Sequence, residues 1–296
     1  MKLLEPAVHV TLKNVLFATD FSAASNAALP FALALANRYG AKLYAAHALS
    51  PEAYLLAAPE SWPYLQQMEE QQQQLAAERL EAQLREVPHQ VLSPVGDISD
   101  VLFRLVRDHE VDLIVLGTHG RSGFKKMLMG SVAEKIFRQA PCPVLTVGPN
   151  VQHAGDGLVD FQTIIFATDL SPESEAAMPY AVSLAQQRGA RLVVLHVIEQ
   201  PEAGTVDCDA NANFVLRQLE EMVPPDPDLW FHPDYAVEFG AAEERILQTA
   251  ADRHADLIVL GVRSWAQYGG PVTRFAHSTA QSIVSRAGCP VLTVRG

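Results

Sequence analysis

Residues 14–49 read NVLFATDFSAASNAALPFALALANRYGAKLYAAHAL. Asn14–Ala18 is an apolar run bounded by polar residues, the pattern of a strand buried on both faces. Ser22 follows as a helix N-cap. Ala28, Phe31, Ala32, Leu35 and Ala36 then recur at helical spacing, and Gly40 closes the helix. Lys42–Leu49 reads as a second strand. Strand, helix and strand in 36 residues make a βαβ unit, whose two strands run parallel.

The stretch occurs twice. Residues 163–198 align with 14–49 without gaps, with 16 of 36 positions identical, among them Phe-Ala-Thr-Asp at 17–20 and 166–169. Asp112–Gly117 recurs in full as Asp256–Gly261, and residues 131–147 match 278–294 at ten of 17 positions. The offset is 149, then 144, then 147. A period of that length is too long for a solenoid repeat and is that of a duplicated domain. The linker runs from Gly148 to Asp160, with Gly148, Pro149, Gly155 and Gly157 as its breakers. The domains expected are 1–149 and 160–296.

The rest of the first half continues the alternation. A helix is expected from about Trp62 to Glu86, its Gln71–Gln74 run forming a solvated face. A strand follows at Val91–Val95, a helix at Ile98–His109, a strand at Leu113–Gly117, a helix at Ser131–Gln139 and a strand at Val144–Val147. In the second half Ser171 caps a helix with Pro172 at its first position and Gly189 at its end. Alternating strands and helices imply a parallel sheet with helices on both faces and right-handed crossovers. Such sheets bind ligands beyond the carboxyl ends of their strands. Three places qualify: Thr19-Asp20, the segment after the second strand, and Thr118–Ser131.

The last of these carries the chemistry. It reads Gly117-Thr118-His119-Gly120-Arg121-Ser122-Gly123-Phe124-Lys125-Lys126-Met127-Leu128-Met129-Gly130-Ser131. Glycine permits positive φ and close backbone approach to a ligand. Gly130-Ser131 opens a helix whose first-turn N–H groups lack intrahelical partners and favour a phosphate. The Ser131 hydroxyl adds a hydrogen bond there, and Arg121, Lys125 and Lys126 add charge. The composition equally describes a glycine-rich surface loop with basic tips. The P-loop, the G-x-G-x-x-G dinucleotide fingerprint and the S-G-G-x-D-S pyrophosphatase loop are all absent from the sequence.

The spacing Gly117-x2-Gly120-x9-Gly130-Ser131 resembles the ATP-binding signature of the universal stress protein family. Ala18-Thr19-Asp20-Phe21-Ser22, His47 and Pro141-Cys142-Pro143-Val144 are similar to it as well, and the likeness covers residues 14–147 and 163–294. The resemblance implies two tandem, doubly wound, Rossmann-like α/β domains, each a five-stranded parallel sheet of order 3-2-1-4-5. It implies an ATP site in the first. Asp20 would contact the ribose or a phosphate-bound Mg or Mn ion, with Ala18 and Thr19 beside it. The backbone of Ala48 would meet adenine. Leu116, Gly117, His119, Gly120 and Arg121 would hold ribose and phosphates, and Gly130, Ser131 and Val132 would cap the phosphates. Pairing through the last strands, Val144–Val147 and Val291–Val294, is the family's habit, within one molecule or in a homodimer. A protein partner is expected but not identified.

The second half departs from the signature. Gly261 stands, but Ser264 and His277 replace the later glycines, and the interval to Ser278 is three residues longer. Both replacements carry Cβ atoms that disfavour positive φ. Arg263 and Arg274 remain in the loop, and Asp169 keeps its place. Either the second domain is degenerate and kept for pairing and stability, or its site is remodelled for another ligand.

Composition bounds the rest. The chain has 296 residues, 49% of them hydrophobic, and a net charge of −12. No stretch of 18 uncharged apolar residues could span a membrane, and the N-terminus lacks the apolar core of a secretory signal. Cys142, Cys208 and Cys289 form neither a disulfide framework nor a zinc spacing, and the ten histidines contain no metal-ligand pair. His47 and His196 suit packing, Cys142 and Cys289 a buried structural role. A cytoplasmic protein without nucleic-acid or membrane partners is expected. Residues 1–150 carry 13 basic and 15 acidic residues, and residues 151–296 carry nine and 19. This is either drift on a solvated surface or a sign that only the first half suits an anionic ligand, and the loop residues, not the net charge, decide. No in-line base, arginine finger or acceptor site is defined. The expected function is an ATP-binding regulator or sensor. A slow ATPase or autophosphorylating enzyme and a nucleotide-independent, chaperone-like interaction protein are the alternatives.

Overall fold

The computed structural model describes residues 10–51, 58–85, 87–118, 129–151, 159–186, 189–199, 208–222, 232–262 and 279–296. The chain divides into two compact units, Leu12–Val147 and Gly148–Gly296. Val10 and Thr11 go with the second unit, where the Val10 carbonyl accepts from the Ser183 hydroxyl at 3.4 Å.

In the first unit the elements are β1 (Asn14–Ala18), α1 (Ala23–Tyr39), β2 (Lys42–Ala46), a 3-10 turn (Pro59–Ser61), α2 (Trp62–Leu84), β3 (His89–Leu92), α3 (Ile98–Asp108), β4 (Leu113–Gly117), α4 (Ser131–Gln139) and β5 (Val144–Val147). The second contains β6 (Thr163–Ala167), α5 (Pro172–Gln186), β7 (Arg191–Ile198), α6 (Cys208–Met222), β8 (Asp234–Phe239), α7 (Ala242–Asp252), β9 (Leu257–Val262), α8 (Thr279–Arg286) and β10 (Val291–Arg295). Within the first unit the parallel order is β3-β2-β1-β4-β5. Within the second it is β8-β7-β6-β9-β10. Both are the 3-2-1-4-5 order that the resemblance implied. Val15, Leu16 and Phe17 of the central strand are at most 1% exposed, as helices covering both faces require.

The helix signals act as read. Ser22 accepts from the Ser25 N–H, and Gly40 ends α1 in the left-handed region at φ 62°. An acidic side chain sets the strand register in each unit. The Asp112 carboxylate, just before β4, accepts from the amides of Lys13 and Asn14 at 2.6 and 2.9 Å. Asp256 does the same for Gln162 and Thr163 at 2.8 and 2.9 Å.

Boundaries differ at the site. β2 stops at Ala46, not Leu49, because β1 ends opposite it: Ala18 pairs with Ala46. Beyond that point only a single bridge, Leu49 to Val95, persists. β3 starts earlier than read, at His89, because Leu43 pairs with it.

Candidate functional site

The turn from β1 to α1 is built by its own side chains. The Thr19 hydroxyl donates to Ser25 Oγ and accepts from the Phe21 N–H, both at 2.9 Å. Asp20 Oδ1 accepts from the Ser22 N–H and the Ser25 hydroxyl, again at 2.9 Å. These bonds hold Phe21 at φ 61°, a left-handed conformation that costs a side chain about 1–2 kcal/mol.

His47 locks the turn from β2. Its Nδ1 lies 2.8 Å from the Thr19 carbonyl, which only accepts, so Nδ1 carries the proton. The ring is buried and sits 4.6 Å from that of Phe21. Arg79 of α2 stacks on the Phe21 ring at 4.3 Å. The packing role expected of His47 is thus a turn lock. Backbone alternation then exposes Ala48. The Ala46 carbonyl accepts from Thr19 on the β1 side, whereas His47 and Leu49 bond to Leu92, Pro94 and Gly96 on the β3 side. The Ala48 N–H and C=O therefore turn to the β1 side, where β1 has already ended.

Gly117 is required by packing. A Cβ there would lie 2.6 Å from the Ala24 backbone, because the start of α1 crosses the end of β4 at that point. It does not adopt positive φ. Thr118 follows, fully buried, its N–H donating to the Val147 carbonyl at 3.0 Å. Its own carbonyl accepts from the Gly130 N–H at 2.8 Å. Gly130 caps α4 with φ −64° and ψ 151°, without a side-chain cap bond. That is ordinary extended backbone, so Gly130 does not use the positive φ that glycine permits. The first-turn N–H groups of α4 are left without side-chain caps and carry partial positive charge.

These pieces surround one cleft of about 660 Å³, within the roughly 300–1,000 Å³ usual for small-molecule sites. Ala18, Thr19 and Asp20 line it from the end of β1, and Ala48 from the end of β2. Leu116 and Gly117 line it from β4, and Gly130, Ser131 and Val132 from the start of α4. His119, Gly120 and Arg121 lie outside the described residues, as do Lys125 and Lys126. The apolar wall formed by Ile98, Leu102 and Ile136, and the polar groups of Ser25 and Gln72, also line the cleft and were not singled out from sequence. Ser25 was legible, because Thr-Asp-x-Ser-x-x-Ser recurs at 168–174. Asp20 is the one carboxylate among the described lining residues, which include no lysine or arginine.

The second unit repeats the turn. The Thr168 and Ser174 hydroxyls are 2.8 Å apart, and Leu170 and Ser171 donate to Thr168 and Asp169 at 3.0 Å. Leu170 has φ 61°, and His196 Nδ1 meets the Thr168 carbonyl at 2.9 Å. Burial pushes the Asp169 carboxyl up, but hydrogen bonds from Ser171 and Ser174 outweigh it and hold the group below the ordinary range. A Cβ on Gly261 would meet the Glu173 carbonyl oxygen and Ser174 Cα at 2.3 Å. Ser264, His277 and Ser278 lie outside the described residues, as do Arg263 and Arg274. Among the described residues no cluster of three or more His, Cys, Asp or Glu could hold a metal ion, and no helix is long and apolar enough to cross a membrane.

Comparison with known proteins gives these features a place. A universal stress protein of Methanocaldococcus jannaschii is 28% identical over 138 residues, 46% of this chain and 81% of its own. One from Mycobacterium tuberculosis is 25% identical over 193 residues, so the match spans 63% of either chain. The crystal structure of a universal stress protein from Archaeoglobus fulgidus covers 95% of this chain and 98% of its own, with a TM-score of 0.69 and 22% identity. That last likeness is one of fold. The sequence profile of the universal stress protein family matches residues 11–148 and again 160–295. The chain therefore belongs to the universal stress protein family, as a tandem of two of its domains.

Proposed function

We propose that this chain is a cytoplasmic, ATP-binding regulator or sensor in the stress response, with the nucleotide held in the cleft of the first unit. The observation that carries this reading is a convergence. Nine residues that the family resemblance assigned to a nucleotide, at the ends of β1, β2 and β4 and the start of α4, line one cleft. At one end it has an open backbone amide and carbonyl, and at the other an uncapped helix start. Ala48 meets the base there, and the first-turn N–H groups of α4, with the Ser131 hydroxyl, meet the phosphates. Asp20 is the residue that meets the ribose or a Mg or Mn ion carried by the nucleotide. His119, Gly120 and Arg121 complete the phosphate end.

ATP has about 31 heavy atoms, and roughly 0.3 kcal/mol per atom gives about 9 kcal/mol, a submicromolar dissociation constant. The test is isothermal titration calorimetry on nucleotide-stripped protein. The expected result is one ATP per chain, lost in Gly120→Val because a branched side chain keeps the loop backbone off the ligand. Undiminished affinity in Gly120→Val sinks the site assignment. Two sites per chain mean that the second unit also binds. No binding leaves the cleft an inherited shape and favours an interaction protein.

A further inference from the structure

The glutamine run Gln71–Gln74 is a feature that the nucleotide reading leaves unused, and its side chains divide the work. Gln73 Nε2 donates to the Ser93 carbonyl at 2.7 Å. Gln74 Nε2 donates to Glu78 along the helix at 2.9 Å. Gln72 lines the cleft. The run is the solvated face read from sequence, with Gln71, Gln72 and Gln74 exposed, but Gln72 also borders the cleft and Gln73 ties the helix to the end of β3.

The Gln73 bond fixes the end of the cleft at which Gln72 stands. Ser93 follows β3, and the next residue, Pro94, accepts from the Leu49 N–H at 3.0 Å. Gln72 therefore stands at the Leu49–Ser50 end, beside Ala48. The start of α4 follows β4, which lies across β1 from β2, about 10 Å away at the usual strand spacing. Gln72 is thus at the base end of the cleft and not at the phosphate end. α2 is also held there by Arg79 on the Phe21 ring.

Most polar side chains around the cleft are already engaged. Thr19, Ser25 and His47 build the turn, and the Thr118 hydroxyl faces the Val147 carbonyl at 3.4 Å. The Gln72 amide has no hydrogen-bond partner among the described residues. A side-chain amide presents an acceptor and a donor side by side. That pair matches the N6–H donor and N7 acceptor of adenine and mismatches the two acceptors, O6 and N7, of guanine.

We propose that Gln72 is a specificity-determining residue of the cleft, its Oε1 accepting from the adenine N6 amino group and its Nε2 donating to N7. Ala48 meets the opposite, N1–N6 edge. This rests on the nucleotide reading above and adds which edge of the base is read, and by what.

The test compares ATP with 7-deaza-ATP, which lacks the N7 acceptor, by calorimetry on the full chain. The wild type is expected to bind ATP about tenfold more tightly, within the range of one good amide–base pair. Gln72→Ala should weaken ATP about tenfold and bind both nucleotides alike. Gln72→Glu keeps the acceptor for N6 but turns a second carboxylate oxygen toward N7, so it should bind 7-deaza-ATP more tightly than ATP. Circular dichroism checks that the variants fold, and the wild-type comparison needs no variant. Equal wild-type affinity for the two nucleotides overturns the inference alone, as does a Gln72→Ala variant that keeps the preference. A wild type that binds neither overturns the nucleotide reading and this inference with it.

Discussion

The two units build their first strand-to-helix turn from equivalent contacts and part company in sequence after the fourth strand. The Thr–Ser hydroxyl contact is 2.9 Å in one and 2.8 Å in the other, and the histidine-to-carbonyl contact is 2.8 and 2.9 Å. Gly117 and Gly261 are both kept, while Gly120 and Gly130 give way to Ser264 and His277. The duplication thereby separates two reasons for a glycine. The kept one is demanded by helix α1 or α5 crossing a strand end, where a Cβ meets backbone. Gly130 is not demanded by its own backbone conformation, and the fold survives its replacement. By the same comparison, Asp20 and Asp169 have a turn-forming duty that exists with or without a ligand.

The largest expected effect tests the kept glycines. Gly117→Val and Gly261→Val should each destabilise their own unit by about 3 kcal/mol, since the added atoms collide with backbone that cannot yield cheaply. Denaturant unfolding measures this. A Gly117→Val protein of native stability would mean that the helix crossing is not the reason for the glycine. Next comes Gly130→Ala. Stability should stay within about 0.5 kcal/mol, while ATP affinity falls about tenfold as the methyl group crowds the phosphate end.

The turn carboxylates give a smaller, pH-dependent effect. Asp169 sits below its ordinary value of 3.8, its hydrogen bonds prevailing over burial. A lowered value stabilises the fold above the unfolded value and loses that contribution as pH falls through the folded one. Asp169→Asn should therefore lower the melting temperature modestly at pH 7, and the gap should close as pH drops below 3.8. Asp20→Asn should show the same loss at neutral pH and weaken ATP as well. If Asp20→Asn weakened ATP without any loss of stability, the shared turn duty would be wrong.

The smallest effect concerns the thiols at the opposite end of each sheet. Burial, helped by Asp112 and Asp256, pushes Cys142 and Cys289 up to about 12. In a Cys208→Ser background both should resist alkylation at pH 8 equally. Their contribution to stability is present below the ordinary 9.0 and is lost as pH rises toward about 12. Fast alkylation of one thiol alone would break the equivalence of the two units.

Much of this was legible because periodicity, caps and repetition are local signals. β4, α4 and β5 fall where the sequence puts them, and Ser22 and Gly40 bound α1 as read. The end of β2 was not legible, since it depends on where β1 stops, a fact of pairing across the sheet. The reason for Gly117 was hidden likewise, because Ala24 lies far from it in sequence and meets it only once α1 packs. Gln72 reads like its three neighbours until Gln73 is seen bonded to Ser93.

The hydrogen bond from Gly130 to the Thr118 carbonyl has a consequence for how such proteins diversify. It brings the two ends of the intervening segment together at 2.8 Å, so the scaffold fixes where that segment begins and ends. Lengthening a closed segment of this size by three residues adds only about 0.2 kcal/mol of closure entropy. The segment is thus an exchangeable cassette. New lengths can be sampled there at little cost in loop closure, and the second copy carries one, three residues longer, on a sheet of the same strand order.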